Sequence, residues 1–420
     1  MSETIRFIHC SDLHLGAPFK GVHCDNEEIW KVLEGSTFKS FEKVVQTAIS
    51  QKIDFVLIAG DVYNSANKSI RSQLFFLKQM RLLANHSIPC FVVHGNHDPL
   101  ESWTIKADWP DSMVRFSSYV SCKSLFRPDE NTPFVNIIGY SYPKRDIQKN
   151  IAKEIAHFSS TLNHDVYTIG LLHCNVGGDS STENYAPCSI QDLLQSNIDY
   201  WALGHVHTRK ILHSHQPTIV YSGNTQGLHI NDVQKKGFYL VTVHDNETEC
   251  DFIETSTFLW FNEILSVQDE TIAGISDKMI QRMVDNTQDL PGIFRFELEG
   301  RTTLNHALQN QIKDIEESIR EGIEQENCFL ESIKLRTKPF IDVDSIRSRN
   351  DFSSLFLKKT EELQESENPQ DKILELLKDM PLQKLFRILP EKGVNIQWDQ
   401  IISDAQSIGL DLLSEDEDED

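Results

Sequence analysis

The chain of 420 residues contains no apolar run approaching the roughly 18 residues a transmembrane helix needs, and stretches such as Phe55 to Gly60 are among its longest. No membrane-spanning helix is therefore expected. The opening MSETIRFIHCSD turns polar before any signal-peptide core develops, which points to a cytoplasmic chain. Eight cysteines (10, 24, 90, 122, 174, 188, 250, 328) form no CxxC pair, so neither a disulfide framework nor a thiolate zinc site is indicated. There is no internal repeat. Positive charge is scarce as well: 40 Lys+Arg face 63 Asp+Glu, a net −23 with no compact basic patch, which at first sight argues against a polyanion such as DNA as ligand. What the chain does have is 39% hydrophobic and 9% aromatic content, the composition of a soluble globular protein, and a length that calls for two or three domains.

From residue 1 to about 255, short runs rich in Ile, Val, Phe and Tyr alternate with segments of helical spacing. IRFIHC, DFVLIAGD, PCFVVHGNHD, FVNIIGY, VYTIGLLHC and DYWALGHVH read as strands, most ending in Gly, Asp, His or Asn. Phe38, Phe41, Val45 and Ala48, then Ile70, Leu74, Leu77 and Met80, mark helices between the first three. This alternation predicts an α/β architecture with right-handed crossovers and a buried, largely parallel sheet. The run TIVYSG, GFYLVTVHD, ECDFIET lacks intervening helices and predicts a locally antiparallel section. Residues 256–340 read as a small α+β unit. Ile272, Ile275, Met279 and Met283 mark one helix, FRFELE a strand, Leu308, Ile312, Ile315 and Ile319 a second helix, and 328–335 another strand. Residues 341–413 are acidic and helix-rich, broken by ESENPQ at 365–370, with Leu374, Leu377, Leu382, Leu385 and Leu389 as apolar positions. The closing SEDEDED, 414–420, is a block of like charge expected to be disordered.

Fifteen of the sixteen histidines lie at or before residue 244, which places any metal chemistry in the first region. The polar residues at its strand ends are Asp12 and His14, Asp61, Asn96 and His97, His173, and His205 and His207. Asp12-Leu-His14 and His205-Val-His207 are i, i+2 pairs, so at a strand end both side chains of a pair point to the same face. Asp61 and Asn96 each follow a glycine that closes an apolar run. Ligands of open α/β sheets bind beyond the carboxyl ends of the strands, so all five segments deliver their polar residues to one edge. Asp12, His14, Asp61, Asn96, His173, His205 and His207 are too many donors for one tetrahedral ion and suit two ions bridged by a carboxylate. Any one of them alone reads more readily as a turn, a cap or a satisfied core histidine than as a ligand. His213 and His215 form another HxH but follow no long apolar strand and read as a polar turn, while His9 and His94 sit inside strands and read as core.

SDLHLG, AGDVYN, GNHD, LLHCN and ALGHVH resemble the motifs of the calcineurin-like metallophosphoesterases, and within them those of the SbcD-type DNA repair exonucleases; RFIHCSDLHLGAPFKG is especially similar to the YhaO branch. The resemblance implies a sandwich of two mixed β-sheets flanked by helices over 1–255, an α+β capping domain over 256–340, a helical ATPase-partner-binding region over 341–413 and an acidic tail over 414–420. It implies one metal on Asp12, His14, Asp61 and His207 and a second on Asp61, Asn96, His173 and His205, with Asp61 bridging. His97 is then left as a catalytic group that assists the leaving oxygen, and Asp98 either holds its imidazole in orientation or caps a turn. Nitrogen and carboxylate donors without thiolate favour Mn²⁺, with Fe²⁺ or Zn²⁺ as alternatives. The implied activity is a two-metal exonuclease, and endonuclease, acting on DNA ends in double-strand-break repair. The implied partners are a coiled-coil ATPase of the SbcC or YhaN kind, bound through the C-terminal helices, and a second copy of the chain. The same metal site also suits a small-nucleotide phosphodiesterase or phosphatase, and a non-catalytic scaffold is a third reading.

One departure concerns Asn64, which stands three residues after Asp61 where the exonucleases often carry His or Asp; an amide donates a hydrogen bond but no proton, so slower turnover is expected. Gly223, Asn224 and Gln226 of YSGNTQGLH read either as nucleotide contacts or as a turn. Lys20, Arg71, Lys144, Arg145, Arg209 and Lys210 are candidate phosphate contacts or plain solvated surface. Partitioning the charge reopens the question of DNA: residues 1–250 carry a net −4 and residues 251–420 a net −19. Two divalent ions would bring the first region close to neutrality.

Overall fold

A computed structural model describes residues 4–415 apart from 20–21, 23–26, 65–68, 103, 179–182, 288, 325, 379, 381, 384–385, 387 and 390–395. Lys20, Leu385 and residues 416–420 of the acidic terminus lie outside the described residues. In chain order the first elements are Ile5–Cys10 (β1), Glu27–Leu33 (α1), Ser36–Ser50 (α2), Phe55–Ala59 (β2), Ile70–Asn85 (α3), Cys90–Val93 (β3), Met113–Arg115 (β4), Ser121–Phe126 (β5) and Pro133–Gly139 (β6). Ile151–Ser159 (α4), Tyr167–His173 (β7), Ile190–Leu194 (α5), Tyr200–Gly204 (β8), Lys210–His213 (β9), Thr218–Tyr221 (β10), Gly237–His244 (β11) and Glu247–Glu254 (β12) follow.

These strands build two mixed six-stranded sheets, ordered β12-β11-β1-β2-β3-β4 and β5-β6-β7-β8-β10-β9. The centre of each is parallel, β1 through β4 in one and β6-β7-β8-β10 in the other, and antiparallel partners sit at the margins. The single parallel sheet suggested by alternation is thus two. β10 in particular pairs parallel with β8 in the second sheet, so only β11 and β12 form the antiparallel section expected for the later strands.

Residue alternation explains the layering. Phe7, Phe55, Leu57 and Phe91 of the first sheet pack on Val135, Ile169, Leu171 and Ala202 of the second. Their neighbours Ile8, Val56, Ile58 and Val92 face Phe41, Val45, Phe76 and Met80 of α2 and α3. On the far side, Ile138, Leu172, Trp201 and Leu203 meet Ile155 of α4 and Leu193 of α5. Central strands buried on both faces read as continuous apolar runs, which is why they stood out in the sequence. α3 is rotated from its expected face: Ile70 and Leu74 are 55% and 52% exposed, while Ser72, Gln73 and Phe76 are buried.

Leu259–Ser266 (β13), Ile272–Asn286 (α6), Gly292–Thr302 (β14), Asn305–Gly322 (α7) and Cys328–Pro339 (β15) form the α+β section, with a sheet ordered β13-β14-β15. β14 does not alternate at its start: Ile293, Phe294, Arg295 and Phe296 are all buried, and Arg295 is kept there by an ion pair with buried Glu331 at 2.8 Å. Helices Val343–Ser348 (α8), Phe352–Gln364 (α9), Pro369–Leu376 (α10) and Trp398–Glu415 (α11) complete the described elements. α11 takes in Ser414 and Glu415, which the closing charge run was expected to leave disordered. Compactness divides the chain into one unit of residues 1–266, 270–299 and 310–336 and a second of 267–269, 300–309 and 337–420. Most of the α+β section therefore clusters with the sandwich, where Phe258, Trp260 and Ile293 pack with Ile29, Leu33 and Ile230. No helix among the described residues is long and apolar enough to cross a membrane.

Candidate metal centre

The chain leaving the carboxyl ends of β1, β2, β3, β7 and β8 converges at one edge of the sandwich. Past β1 and β2 it runs on as an irregular ladder, with Asp12 N–H donating to Gly60 O and His14 N–H to Asp61 O, both at 3.0 Å. Asp12, His14, Asp61 and His205 have φ of 50°, 42°, 53° and 100°. Non-glycine residues occupy such strained conformations at a cost on the order of 1–3 kcal/mol each, and they concentrate at functional sites. Here the strain turns four side chains toward a common point.

The structure brings all seven expected donors together. Asp12, His14 and His207 offer donor atoms within 4.8 Å of one another, and so do Asp12, Asp61 and His173. His14 Nε2 lies 3.1 Å from His207 Nε2 and 3.8 Å from Asp61 Oδ2. His173 Nε2 lies 3.5 Å from Asp61 Oδ2 and 3.0 Å from Asn96 Oδ1, and His205 Nδ1 lies 3.2 Å from the same amide oxygen. Asp61 thus stands between a His14/His207 side and a His173/His205/Asn96 side. The outer ring nitrogens are committed elsewhere, His173 Nδ1 to Ala59 O at 2.9 Å and His205 Nε2 to Glu183 O at 2.6 Å. Only a protonated nitrogen satisfies a carbonyl, so these bonds fix the tautomers that leave a lone pair facing inward.

Space is fitted as closely. A Cβ on Gly95 would lie 2.3 Å from Asp61 Oδ1 and 2.7 Å from His173 Nε2, so the loop after β3 approaches the donors only because residue 95 has no side chain. Ser11 Oγ donates to Asp12 Oδ2 at 2.6 Å, and His205 N–H reaches the same carboxylate at 3.1 Å.

Burial pushes the Asp12 carboxyl up despite the opposing pull of His207 and His205, and it pushes Asp61 well above the usual carboxylate range, reinforced by Asp98 and Asp12. It lowers the imidazoles of His173 and His205. Crowded buried carboxylates beside neutral imidazoles form a donor set that divalent cations complete. Donor separations of 3.0 to 3.8 Å are near the spacing of neighbouring ligands about 2.1 Å from one ion, which is about 3.0–3.4 Å. The residues fit a dinuclear centre.

His97 stands half-buried beside the donors. Its N–H donates to Asp61 Oδ1 at 2.9 Å and its ring meets that of His14 edge-on, 5.1 Å between centroids. The Asp98 oxygens accept from Gly95 N–H at 2.8 Å and Val62 N–H at 3.0 Å and lie 3.2 Å from His94 Nδ1, so it fastens the loop that carries Asn96 and His97 rather than orienting the His97 ring. His94 accordingly lies just past β3, on Asp98. His9 is core, bonded to Tyr200 and Leu203 O, and burial lowers its imidazole to about 3. His213 ends β9 and bonds Pro217 O, away from the donors.

Asn224 and Gln226 are buried, and Gln226 is engaged by Thr257 and by Phe258 O. Of the candidate cations, Arg71 and Arg209 lie over the rings of Phe38 and Phe252, whereas Arg145 reaches Glu183, whose own carbonyl holds His205. The roles of Ala59 O and Glu183 O were invisible to side-chain motifs because both act through backbone carbonyls. Ser11 was visible as the residue preceding Asp12 in SDLH.

A profile described as calcineurin-like phosphoesterase matches residues 5–209, and one described as metallophosphoesterase YhaO, middle domain, matches residues 265–338. The uncharacterized metallophosphoesterase YhaO of Bacillus subtilis (strain 168) is 33% identical over 343 residues, 80% of this chain and 82% of its own. The chain belongs to the YhaO family of calcineurin-like metallophosphoesterases. This YhaO-family chain is also similar to the DNA double-strand break repair proteins Mre11 of Methanocaldococcus jannaschii, 23% identical across 59% of the chain, and of Aeropyrum pernix, 26% across 55%. It spans 65% and 56% of those two relatives, less than two thirds of either.

Proposed function

We propose that this YhaO-family metallophosphoesterase is a two-metal phosphodiesterase that cuts DNA at its ends. The observation that carries the proposal is the gathering of seven nitrogen and oxygen donors from five strand ends around Asp61, with His97 beside them. Asp12, His14, Asp61 and His207 would hold one ion and Asp61, Asn96, His173 and His205 the other, Mn²⁺ being the best match to the donors. When bound, such ions supply a water of lowered pKa and neutralise charge on the phosphoryl oxygens. His97, fixed through its N–H on Asp61, delivers a proton to the leaving oxygen. Half-buried Asn64 offers an amide hydrogen bond and no proton, which slows turnover. Arg145, 3.4 Å from Glu183, would take a phosphate flanking the scissile one.

The similarity to the DNA double-strand break repair proteins Mre11 supports DNA as substrate, and the resemblance of the motifs to the SbcD-type exonucleases implies a coiled-coil ATPase as partner. Ten of the twenty exposed large apolar side chains among the described residues lie from Phe340 onward, which favours α8 to α11 as the partner-binding region. Residues 256–340 serve in this reading as the capping domain, and a second copy of the chain completes the assembly. The scarcity of positive charge favours a second reading, hydrolysis of small nucleotides. End-labelled duplex DNA incubated with Mn²⁺ and wild type or His97→Ala, alone and with a coiled-coil ATPase, separates the two. Wild type is expected to shorten the duplex and His97→Ala not. Hydrolysis of bis-p-nitrophenyl phosphate without DNA cleavage in either condition overturns the DNA reading.

A further inference from the structure

The peptide carbonyl of His207 is gripped from behind by two donors, Asn224 N–H at 3.2 Å and Lys236 Nζ at 3.1 Å. Lys236 is 5% exposed, and a lysine stays charged at such a depth only beside a partner. Asp232 is that partner, with Oδ1 3.3 Å from Nζ. Its other oxygen accepts Leu228 N–H at 2.9 Å and His229 N–H at 3.1 Å, and Lys236 N–H is fixed on Ser256 Oγ at 2.8 Å. The segment between β10 and β11 is therefore closed on itself by an ion pair whose cation reaches across to the turn after β8. Gly223 presses on the same turn: with φ of 73°, a Cβ there would lie 2.7 Å from His207 O and 2.8 Å from Arg209 N.

That turn has reason to be held. It presents His205 to one group of donors and His207, two residues on, to the other, and it does so with His205 strained at φ 100°. Anchoring the His207 carbonyl fixes the backbone from which the His207 ring reaches His14 Nε2 at 3.1 Å, and a shift of that backbone would carry the ring with it. A hydrogen bond from a charged donor resists such a shift more strongly than a neutral one.

We propose that Lys236 is a positioning residue of the metal centre: its ammonium, anchored by Asp232, locks the His207 peptide and so sets how tightly the ion on the His14/His207 side is held. The proposal rests on the metal reading of the site and on no choice of substrate. The contrary view is that the pair stabilises the loop alone.

Calorimetric titration of the full-length protein with Mn²⁺ decides between them, using wild type, Lys236→Met, Lys236→Arg and Asp232→Asn. Loss of a residue supporting a metal ligand typically weakens binding about 10–100-fold. Lys236→Met is expected to bind one ion as wild type does and the other about 10–100-fold more weakly. Its turnover of bis-p-nitrophenyl phosphate should recover as Mn²⁺ is raised while KM for the ester moves little. Lys236→Arg, which keeps a charged donor, should regain part of the affinity. Asp232→Asn should weaken the same ion, and it carries the test should Lys236→Met fail to fold. Two ions bound with wild-type affinity by either folded variant overturns the proposal, as does lost turnover that excess Mn²⁺ does not restore. A wild type that takes up no divalent ion overturns the metal reading and the clamp together. Ion binding that depends on Lys236 in a protein inactive on DNA leaves the clamp standing and removes only the DNA reading.

Discussion

Replacing Asp61 by Asn should change stability with opposite sign in the presence and absence of metal. Without ions, the Asp61 carboxyl is buried with Asp98 and Asp12 nearby and is pushed well above its usual range. A folded-state pKa above the unfolded value means that, once the pH exceeds the unfolded value, the group destabilises the fold. At pH 7 the ion-free Asp61→Asn protein should therefore unfold at a higher temperature than ion-free wild type, since an amide retains an acceptor for His97 N–H. With ions the order reverses. Free Mn²⁺ at about 100 times Kd stabilises by about 2.7 kcal/mol per site, or about 5 kcal/mol for two. At about 2–4 °C per kcal/mol, that raises Tm by about 10 °C or more. A carboxylate shared by both ions is worth at least the roughly 100-fold upper effect of a supporting residue, so the same Mn²⁺ concentration falls to about Kd in the variant and the rise shrinks to about 2 °C. Differential scanning fluorimetry of both proteins over a Mn²⁺ series measures this crossing. An ion-free variant less stable than wild type, or a variant with the full Mn²⁺ increment, would refute the assignment of Asp61 to the space between two ions.

Other substitutions address the remaining parts. His97→Ala should lower kcat by about 10²–10⁴-fold while Mn²⁺ titration stays that of wild type; a lost ion would make His97 a ligand instead. Gly95→Ala puts a methyl 2.3 Å from Asp61 Oδ1 and should weaken both ions, read as a reduced Mn²⁺-dependent rise in Tm. Because burial raises Asp12 and Asp61, protons compete with metal for these carboxylates at higher pH than for exposed ones, so Mn²⁺ affinity should fall as pH is lowered toward their raised range; a flat profile would contradict that coupling. Phe352→Glu with Leu355→Glu alters side chains that are 66% and 53% exposed on α9 and should abolish pull-down of a coiled-coil ATPase while ester hydrolysis persists.

The donors were legible in the sequence because their spacing is tied to strand ends: a glycine or an i, i+2 pair after an apolar run leaves little freedom in where the next polar side chain goes. Asp61, Asn96 and the His205/His207 pair were singled out in this way, and their side chains gather at one edge of the sandwich. What the pattern could not show was pairing. β10 reads like any other short apolar strand, yet it lies parallel to β8 because the segment carrying β9 crosses the sheet edge first. β4, β5 and β9 were missed altogether, being short or largely exposed margin strands with little apolar signal. On α3, Ile70 and Leu74 fitted helical spacing but point outward, since the face toward α2 and the site carries Ser72 and Gln73. Asp98 was ambiguous because capping a loop and orienting a ring demand the same residue. Lys236 and Asp232 gave no signal, for a charged pair four residues apart is ordinarily solvated surface.

Charge and exposure together bear on how DNA would be bound. The net −19 of residues 251–420 takes in the region from Phe340 onward, where ten exposed large apolar side chains lie among the described residues. Acidic helices that also expose Phe352, Leu355 and Leu412 suit a protein surface with complementary apolar and basic groups better than they suit phosphates. The first 250 residues, at net −4, need two divalent ions merely to reach neutrality, and two of their candidate cations, Arg71 and Arg209, are occupied by aromatic rings. Phosphate attraction is then concentrated at the metal centre and Arg145 instead of being spread along a groove. In the proposed reading, such a subunit is expected to hold a single phosphodiester well and a long duplex poorly. Its DNA affinity alone should be low, and the steep salt dependence that accompanies many phosphate contacts should emerge only when a partner supplies the basic surface.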